Sequence, residues 1–337
     1  MSSHLDPRLV RAALASYARP SPARSVFELV VTAAPLAAFW ALALVVVGRG
    51  WLWGALLTVP AAAFLVRLFM IQHDCGHRAF FRSRSANDWT GRIAGVLTMT
   101  PYDYWRRTHA LHHATSGNLD RRGLGAVETL TVAEYQARPL LKRVGYRLYR
   151  HPLVLFGLGP AYMFVLQHRL PIGLMKDRRA WLSALGVNVG LALLVLLEVA
   201  GAGLPAVLLV HLPIMLVAAT IGVWLFYVQH QFEDGYWARN EAWTAHEAAL
   251  RGSSQLELPP LLQWFTANIG AHQIHHLGSK IPFYRLPAVL GDHPELGAQA
   301  RITLRKSLRC ARLALWDEAA GRLVAFQNVQ SRATACD

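Results

Sequence analysis

Four long apolar stretches alternate with polar ones along the chain. Residues 29–47 carry no charge, and residues 51–72 carry only Arg67, near the end of the stretch, where we expect its side chain to extend to the lipid headgroups. Residues 181–229 contain one formal charge, Glu198, and the sequence "VAGAGLP" that follows it divides them in two. Because a helix needs about 20 apolar residues to cross a bilayer core of about 30 Å, the pattern predicts four transmembrane helices in two hairpins.

The chain is therefore predicted to be an all-α integral membrane protein with a helical cap outside the bilayer. The predicted units are a tail at 1–27, a first hairpin at 28–72, a polar segment at 73–180, a second hairpin at 181–228, and a polar segment with C-terminal helices at 229–337. Residues 151–171 are apolar but are interrupted by Gly157, Gly159 and Pro160. These interruptions favour an interfacial or re-entrant element over a fifth span.

Composition and charge agree with this layout. Of the 337 residues, 54% are hydrophobic and 16% are charged, against about 25% charged in soluble proteins. The net charge of +14 is concentrated outside the apolar stretches, with seventeen Lys and Arg in residues 73–181. The positive-inside rule then places the tail and both polar segments in the cytoplasm. Topology thus explains the charge without nucleic acid, for which the chain shows no aromatic-interleaved basic motif.

Nine of the fifteen histidines follow the ends of apolar stretches or cluster between them. Three motifs and one single residue contain them: "HDCGH" (His73, His77), "HALHH" (His109, His112, His113), "HQIHH" (His272, His275, His276), and His230 after the fourth stretch. On a helix, positions i, i+3 and i+4 share one face, so each motif can direct its imidazoles to one point. The spacing predicts a metal site. His168 and His211 lack such spacing, and we expect them to be packing or interfacial residues.

Nine imidazoles exceed the capacity of one metal ion. A structural zinc takes four ligands and a catalytic zinc takes three and a water, so the set predicts two ions. Imidazole suits Fe, Cu, Zn and Ni, and the chain contains neither HExxH nor CxxCH. Two irons with open positions could bind and reduce O₂, and we favour that use for a site beside a bilayer.

These motifs, interleaved with two apolar hairpins, resemble those of the membrane fatty acid desaturase family. "HDCGH" together with "IHHLGSKIPFYRLP" is similar to the bacterial acyl-lipid, omega-6 (Δ12)-like branch, and the resemblance covers residues 72–287. It implies a non-haem di-iron centre that inserts a double bond into a fatty acyl chain, using O₂ and two electrons from a ferredoxin or cytochrome b5-type donor. It also implies the bacterial inner (cytoplasmic) membrane, with the active site facing the cytoplasm.

By motif position, the resemblance implies that the eight histidines of the three motifs are iron ligands and that His230 is an extra ligand after the fourth span. Some family members place an Asn one helical turn before that extra histidine, whereas this chain has Phe226. Asp74, inside the first motif, and Asn268, one predicted turn before His272, are candidates to orient the ligands through hydrogen bonds. Aromatic candidates for lining an acyl channel are Phe80, Phe81, Tyr102, Tyr104, Trp105, Trp224, Phe226 and Trp264.

Two other interpretations remain open. A di-iron lipid or carotenoid hydroxylase or ketolase would use the same oxidant but leave oxygen on its product. A membrane metal transporter or sensor would use the histidines without turnover. Transporters place their ligands within the spans near the midplane, whereas these motifs follow the ends of the apolar stretches, which favours the enzyme.

Overall fold

The computed structural model describes residues 6–333, so the first five residues of the predicted tail and the last four of the chain lie outside it. The first part of the chain forms helices α1 (Pro7–Ala15), α2 (Pro22–Gly48), α3 (Thr58–Gly76), α4 (Arg84–Leu97) and α5 (Tyr102–Thr115), with a 3-10 segment (Leu52–Leu57) leading into α3. The middle forms β1 (Leu130–Thr131), α6 (Val132–Ala137), α7 (Leu140–Tyr149), α8 (Gly159–Ala161), α9 (Arg178–Ala202) and α10 (Leu204–His230). The last part forms α11 (Ala245–Arg251), β2 (Gln255–Glu257), α12 (Pro260–Phe265), α13 (His272–Leu277), α14 (Leu286–Asp292), β3 (Arg301–Thr303), α15 (Leu304–Cys310), β4 (Leu313–Asp317), β5 (Arg322–Ala325) and α16 (Phe326–Ala333).

Four helical stretches in the described chain are long and apolar enough to cross a membrane, which confirms the predicted four-helix architecture. They are Pro22–Gly48, Leu52–Gly76, Arg178–Ala202 and Leu204–His230. Each continues past the predicted edges of its hairpin. Helix α3 includes His73, and α10 ends at His230, because no helix-breaking residue intervenes between the apolar run and the first polar turn. The histidines at these two helix ends therefore have positions fixed by the spans themselves.

The two charged residues of the first hairpin form a buried ion pair. The Arg67 guanidinium, 1% exposed, donates to the Glu28 carboxylate and, at 3.2 Å, to Oγ1 of Thr32. It also lies 3.9 Å from the centre of the Trp264 ring. The expectation that Arg67 extends to the headgroups is wrong, because α2 supplies a carboxylate at the same depth and the pairing keeps the charge inside the protein.

Residues 151–171 form short helical pieces. Two π-helical turns, Val154–Leu158 and Tyr162–Leu166, flank the three-residue helix α8. Oγ1 of Thr220 in α10 donates to the carbonyl oxygen of Phe156 at 2.8 Å, and Arg169 donates to Oδ1 of Asn188 in α9 at 2.8 Å. The segment therefore lies alongside α9 and α10 without forming a helix long enough to span.

The cap contains two small sheets beside its helices. Strand β4 pairs in parallel with β1 and antiparallel with β5, and β2 pairs in parallel with β3. The strands have two to five residues, too few to produce a recognisable alternation in the sequence. The three-stranded sheet joins the last part of the chain to the segment that follows α5, and the second histidine motif lies on α5.

Candidate metal centre

Four helices bring the nine predicted histidines together. Helix α3 carries His73 in its last turn and is capped by His77, and α10 ends with His230. Helix α5 carries the second motif and α13 the third. The bilayer spans thus fix three of the histidines, and two short cap helices fix the other six.

The nine histidines divide into two groups of possible metal ligands. The first group is His73, His77, His109, His113 and His275, and the second is His112, His230, His272 and His276; within each group the possible ligand atoms all lie within 4.8 Å of one another. Both cap motifs contribute to both groups. The i, i+4 pair of each motif enters one group and the histidine between them enters the other. The rings of His113 and His276 stack at 4.1 Å between centres, so the two groups are adjacent.

Within each group, the Nε2 atoms point at one another. In the first group, Nε2 of His109 lies 3.0 Å from that of His77 and 3.1 Å from that of His113. In the second, Nε2 of His230 lies 3.0 Å from that of His112 and 2.9 Å from that of His272. A cation at the point where the Nε2 atoms of each group converge would accept the lone pairs of all these nitrogens at once, as in imidazole-rich metal sites.

Hydrogen bonds at Nδ1 leave the Nε2 lone pair free in at least two of the rings. Oδ1 of Asp74 lies 3.3 Å from Nδ1 of His73, and Oδ2 accepts from the backbone N–H of Phe283 at 2.7 Å. Nδ1 of His230 donates to the carbonyl oxygen of Gly252 at 3.1 Å, with Oγ of Ser116 at 3.3 Å. Because a carbonyl oxygen can only accept, His230 carries its proton on Nδ1, and an ionised Asp74 holds the proton of His73 there as well. Both rings then present Nε2 to the centre of their group, as metal-ligating histidines do.

Burial keeps the cap histidines neutral. It lowers the pKa of His109, His112, His272 and His275 well below the ordinary imidazole value, and the neighbouring histidines lower it further because two imidazolium ions would repel each other. The pKa values of His77, His113 and His276 are lowered in the same way. Neutral imidazoles are the form that binds metal, so these seven side chains are in the state that a metal site requires.

The packing of α4 against α5 holds the second motif in place. The hydroxyl of Tyr102, the first residue of α5, donates to the carbonyl oxygen of Cys75 at 2.8 Å and so joins α5 to the first motif. A Cβ on Gly95 in α4 would lie 2.5 Å from the carbonyl oxygen of Thr100, so only glycine allows this approach. On α5 itself, the Trp105 ring stacks on His109 at 4.5 Å between centres.

Of the two residues predicted to orient the ligands, Asp74 lies beside a histidine and Asn268 does not lie on a histidine-bearing helix. Asp74 lies beside His73 as the prediction requires. Asn268 does not lie on a helix with His272: its φ is +56°, and α13 begins only at His272. Within residues 6–333, no side-chain hydrogen bond joins Asn268 to any of the nine histidines. The expectation of a helical turn between the two residues is wrong, because Ala267 and Asn268 form a left-handed turn before the helix.

Some residues near the groups were not foreseen. Ser116 and Gly252 were missed because neither motif spacing nor hydropathy marks a residue that contacts a ligand through a loop.

Phe226 stands at the position where some members of the resembled family place an Asn, and its ring lies 4.9 Å from that of His112. It also lines a cleft, together with His112, His230, Val127 and Trp237. The second group therefore has an approach from outside the protein.

Other predicted features lie apart from both groups. Nδ1 of His211 lies 2.8 Å from a carboxylate oxygen of Glu198, a pair within the second hairpin. His168 is buried, and burial lowers its pKa to about 4. Both histidines are outside the two groups, as expected.

These features define a class: a helical membrane protein with four spans and two adjacent histidine-lined sites for metal at the end of the spans. Comparison with known proteins gives the family. The family model "Fatty acid desaturase" matches residues 49–307. A fatty acid desaturase of Bacillus subtilis is 42% identical over 323 residues, which are 94% of this chain and 90% of that protein.

More distant relatives have more specific names. The sn-1 oleoyl-lipid 12-desaturase of Synechocystis is 27% identical, over 73% of this chain and 67% of its own length. The sn-1 acyl-lipid omega-3 desaturase (ferredoxin) of Nostoc is 27% identical, over 70% of this chain and 66% of its own length. The chain belongs to the fatty acid desaturase family and is a membrane oxidoreductase.

Proposed function

We propose that the nine histidines bind two iron ions and that the protein inserts a double bond into the acyl chain of a membrane lipid. The observation that carries this proposal is the convergence of the imidazoles on two adjacent points. Two bound irons would supply the activation of O₂ that removal of hydrogen from an unactivated methylene pair requires. Two hydrogens from the acyl chain, with two electrons and two protons from outside, reduce O₂ to water.

In this proposal the protein's own groups hold the ligands and shape the site. Asp74 and the Gly252 carbonyl keep the protons of His73 and His230 on Nδ1. Imidazoles resist oxidation where thiolates would be lost; Cys75 is fully buried, and its side chain belongs to neither histidine group. Because an acyl chain has no polar group at the reacting carbons, apolar walls must position it. Phe226, in contact with the second group, is our candidate for such a wall.

We propose a Δ12, omega-6-like position for the new double bond and a ferredoxin or cytochrome b5-type electron donor. Support comes from the sequence motifs and from relatives named 12-desaturases in Synechocystis and Arthrospira platensis; the name of the Bacillus relative gives no position. The Nostoc relative's name includes ferredoxin. We further propose the bacterial inner membrane with the histidines on the cytoplasmic side, supported by the basic residues outside the spans.

Expression in a bacterial host without polyunsaturated lipids tests this proposal. With an electron donor co-expressed, we expect new double bonds in the membrane lipids, and their position can be found by gas chromatography and mass spectrometry of suitable derivatives. A double bond elsewhere than Δ12 would overturn the regioselectivity alone. Hydroxylated lipids without new double bonds would favour the hydroxylase. An unchanged lipid profile, with metal that exchanges freely, would favour a transporter or sensor.

A further inference from the structure

Helix α7, Leu140–Tyr149, exposes a continuous apolar face although it is not one of the four spans. The exposed fraction is 74% for Leu140, 83% for Leu141, 44% for Val144 and 60% for Leu148. At about 100° per residue these four side chains occupy an arc of about 100° on one side of the helix. Ordinary surface helices direct such a stripe into the protein core, so this one requires another apolar environment.

The opposite side of α7 attaches the helix to the cap. Tyr146, 3% exposed, lies about 180° from the middle of the apolar arc by the same helical geometry. Its hydroxyl donates to the carbonyl oxygen of Ala314 at 2.6 Å and accepts from the N–H of Leu130 at 3.1 Å. The apolar face therefore points directly away from the body of the cap.

The end of α7 lies level with the end of a transmembrane helix. Arg150, the residue after α7, donates to the hydroxyl of Tyr227 at 3.0 Å and to Oε1 of Gln231 at 2.8 Å, both at the end of α10. Shortly afterwards the chain reaches Phe156, whose carbonyl oxygen accepts from Thr220. Thr220 lies ten residues before the end of α10, which corresponds to about 15 Å along the helix. Helix α7 is thus at the membrane boundary, directly before the chain descends beside the spans.

The apolar surface of α7 continues into this descending segment. Leu153, Leu158, Tyr162 and Leu166 are all exposed there, beside helices that cross the membrane. Because lipid is the neighbour of the spans, continuity of the surface indicates the same neighbour for α7.

Positive charge lies next to one edge of the apolar arc, and a lysine lies about 100° beyond the other edge. By helical geometry Arg143 and Arg147 lie beyond one edge, where each guanidinium stands over the Tyr135 ring, and exposed Lys142 lies beyond the other. Helix α7 contains no acidic residue. An apolar stripe flanked by Lys and Arg is typical of helices that lie in the membrane surface, and such charges attract anionic headgroups.

We propose that α7 lies in the plane of the membrane surface, with its leucines in the outermost part of the acyl layer and its basic residues among anionic headgroups. Through Tyr146 on one side and Arg150 on the other, this helix would hold the cap at a fixed height above the bilayer. The inference does not depend on the metal or on the reaction proposed above.

Nitroxide labels on the full-length chain test the proposal. The protein is reconstituted in vesicles of phosphatidylethanolamine and phosphatidylglycerol. Each variant, Leu141→Cys or Lys142→Cys, carries a single nitroxide label on the introduced cysteine. Cys336 is changed to Ser, while Cys75 and Cys310 are buried. Electron paramagnetic resonance then compares relaxation by O₂, which concentrates in lipid, with relaxation by a water-soluble nickel chelate. We expect the label at 141 to favour O₂ several-fold more than the matched label at 142, its neighbour on the same helix.

Each other outcome overturns part of the proposal. Equal access of the nickel chelate to both labels would show that the leucine face is in water. Protection of position 141 from both reagents would show that protein covers it, either a second copy of the chain or a partner. Exchange of phosphatidylglycerol for a neutral lipid is expected to move the label at 141 toward water, and an unchanged ratio would overturn the role of anionic headgroups.

Discussion

Replacement of Asp74 by asparagine is expected to weaken metal binding at the first histidine group and to leave the second intact. Both carboxylate oxygens of Asp74 face N–H groups, one on His73 and one on Phe283. An asparagine offers one acceptor oxygen and one NH₂ donor group. If the oxygen keeps the bond from Phe283, the NH₂ group faces Nδ1 of His73. The ring proton then moves to Nε2, where it occupies the lone pair intended for the metal.

The magnitude follows from the loss of one oriented ligand. Loss of a hydrogen-bonding partner behind a metal-bound histidine typically reduces metal affinity or activity by about 10–100-fold. At 1.36 kcal/mol for each factor of ten, this corresponds to about 1.4–2.7 kcal/mol. His73 is one of five possible ligands in its group, so we expect weaker binding and not complete loss of the site.

A chelator titration of the iron-loaded protein measures this effect, with iron per chain as the readout. In Asp74→Asn, one of the two irons is expected to leave at a chelator concentration lower by about 10–100-fold. Asp317→Asn is the matched control, because Asp317 is also buried, accepts from the backbone N–H of Ala320 at 3.0 Å, and belongs to neither histidine group. Asp74→Ala leaves the buried N–H of Phe283 without its partner, so this variant is also expected to unfold at a lower temperature.

Two results would refute the reasoning. Unchanged retention of both irons in Asp74→Asn would mean that Asp74 does not fix the tautomer of His73. An equal shift of both irons would mean that the substitution acts through the fold as a whole and not on one group.

Three further predictions concern ligand number, buried charge and packing. His112→Ala removes one of the four possible ligands of the second group. It is expected to abolish desaturation and to lower bound iron toward one per chain, with membrane insertion unchanged. Turnover of this variant in lipid assays would contradict the ligand assignment. Glu28→Gln leaves the buried Arg67 guanidinium without its counter-charge and is expected to destabilise the protein by about 3–5 kcal/mol, measured by thermal unfolding in detergent. Replacement of both residues by leucine is expected to recover most of that loss, and a double variant as unstable as the single one would argue against the pair. Gly95→Ala places a methyl group 2.5 Å from a backbone carbonyl oxygen, so it is expected to lower the free energy of unfolding by about 1–3 kcal/mol and to reduce activity. In the control Gly186→Ala the added methyl group has no neighbour within 4 Å, so this variant should behave as wild type.

The spans could be predicted because bilayer thickness imposes a length and an apolar composition that are visible in the sequence. The predicted edges were too short, since a helix continues through polar residues as long as its backbone bonds can form. The error at Arg67 has a different origin: its partner Glu28 lies 39 positions earlier, just outside the uncharged run, and no local pattern joins the two. Asn268 was misplaced because a left-handed turn of non-glycine residues leaves no signature in a single sequence.

The sequence by itself determined the chemistry of the site, because the spacing of histidines within each motif places them on one face of a helix whatever the rest of the fold. Only the tertiary structure decided how the nine divide. Helices α5 and α13 each give histidines to both groups, and this division depends on how the two helices face each other across the ends of α3 and α10. The contacts that orient the rings, such as that of Gly252 with His230, likewise join residues far apart in the chain. Spacing along one helix is a local property, whereas the distance between two helices depends on everything packed between them.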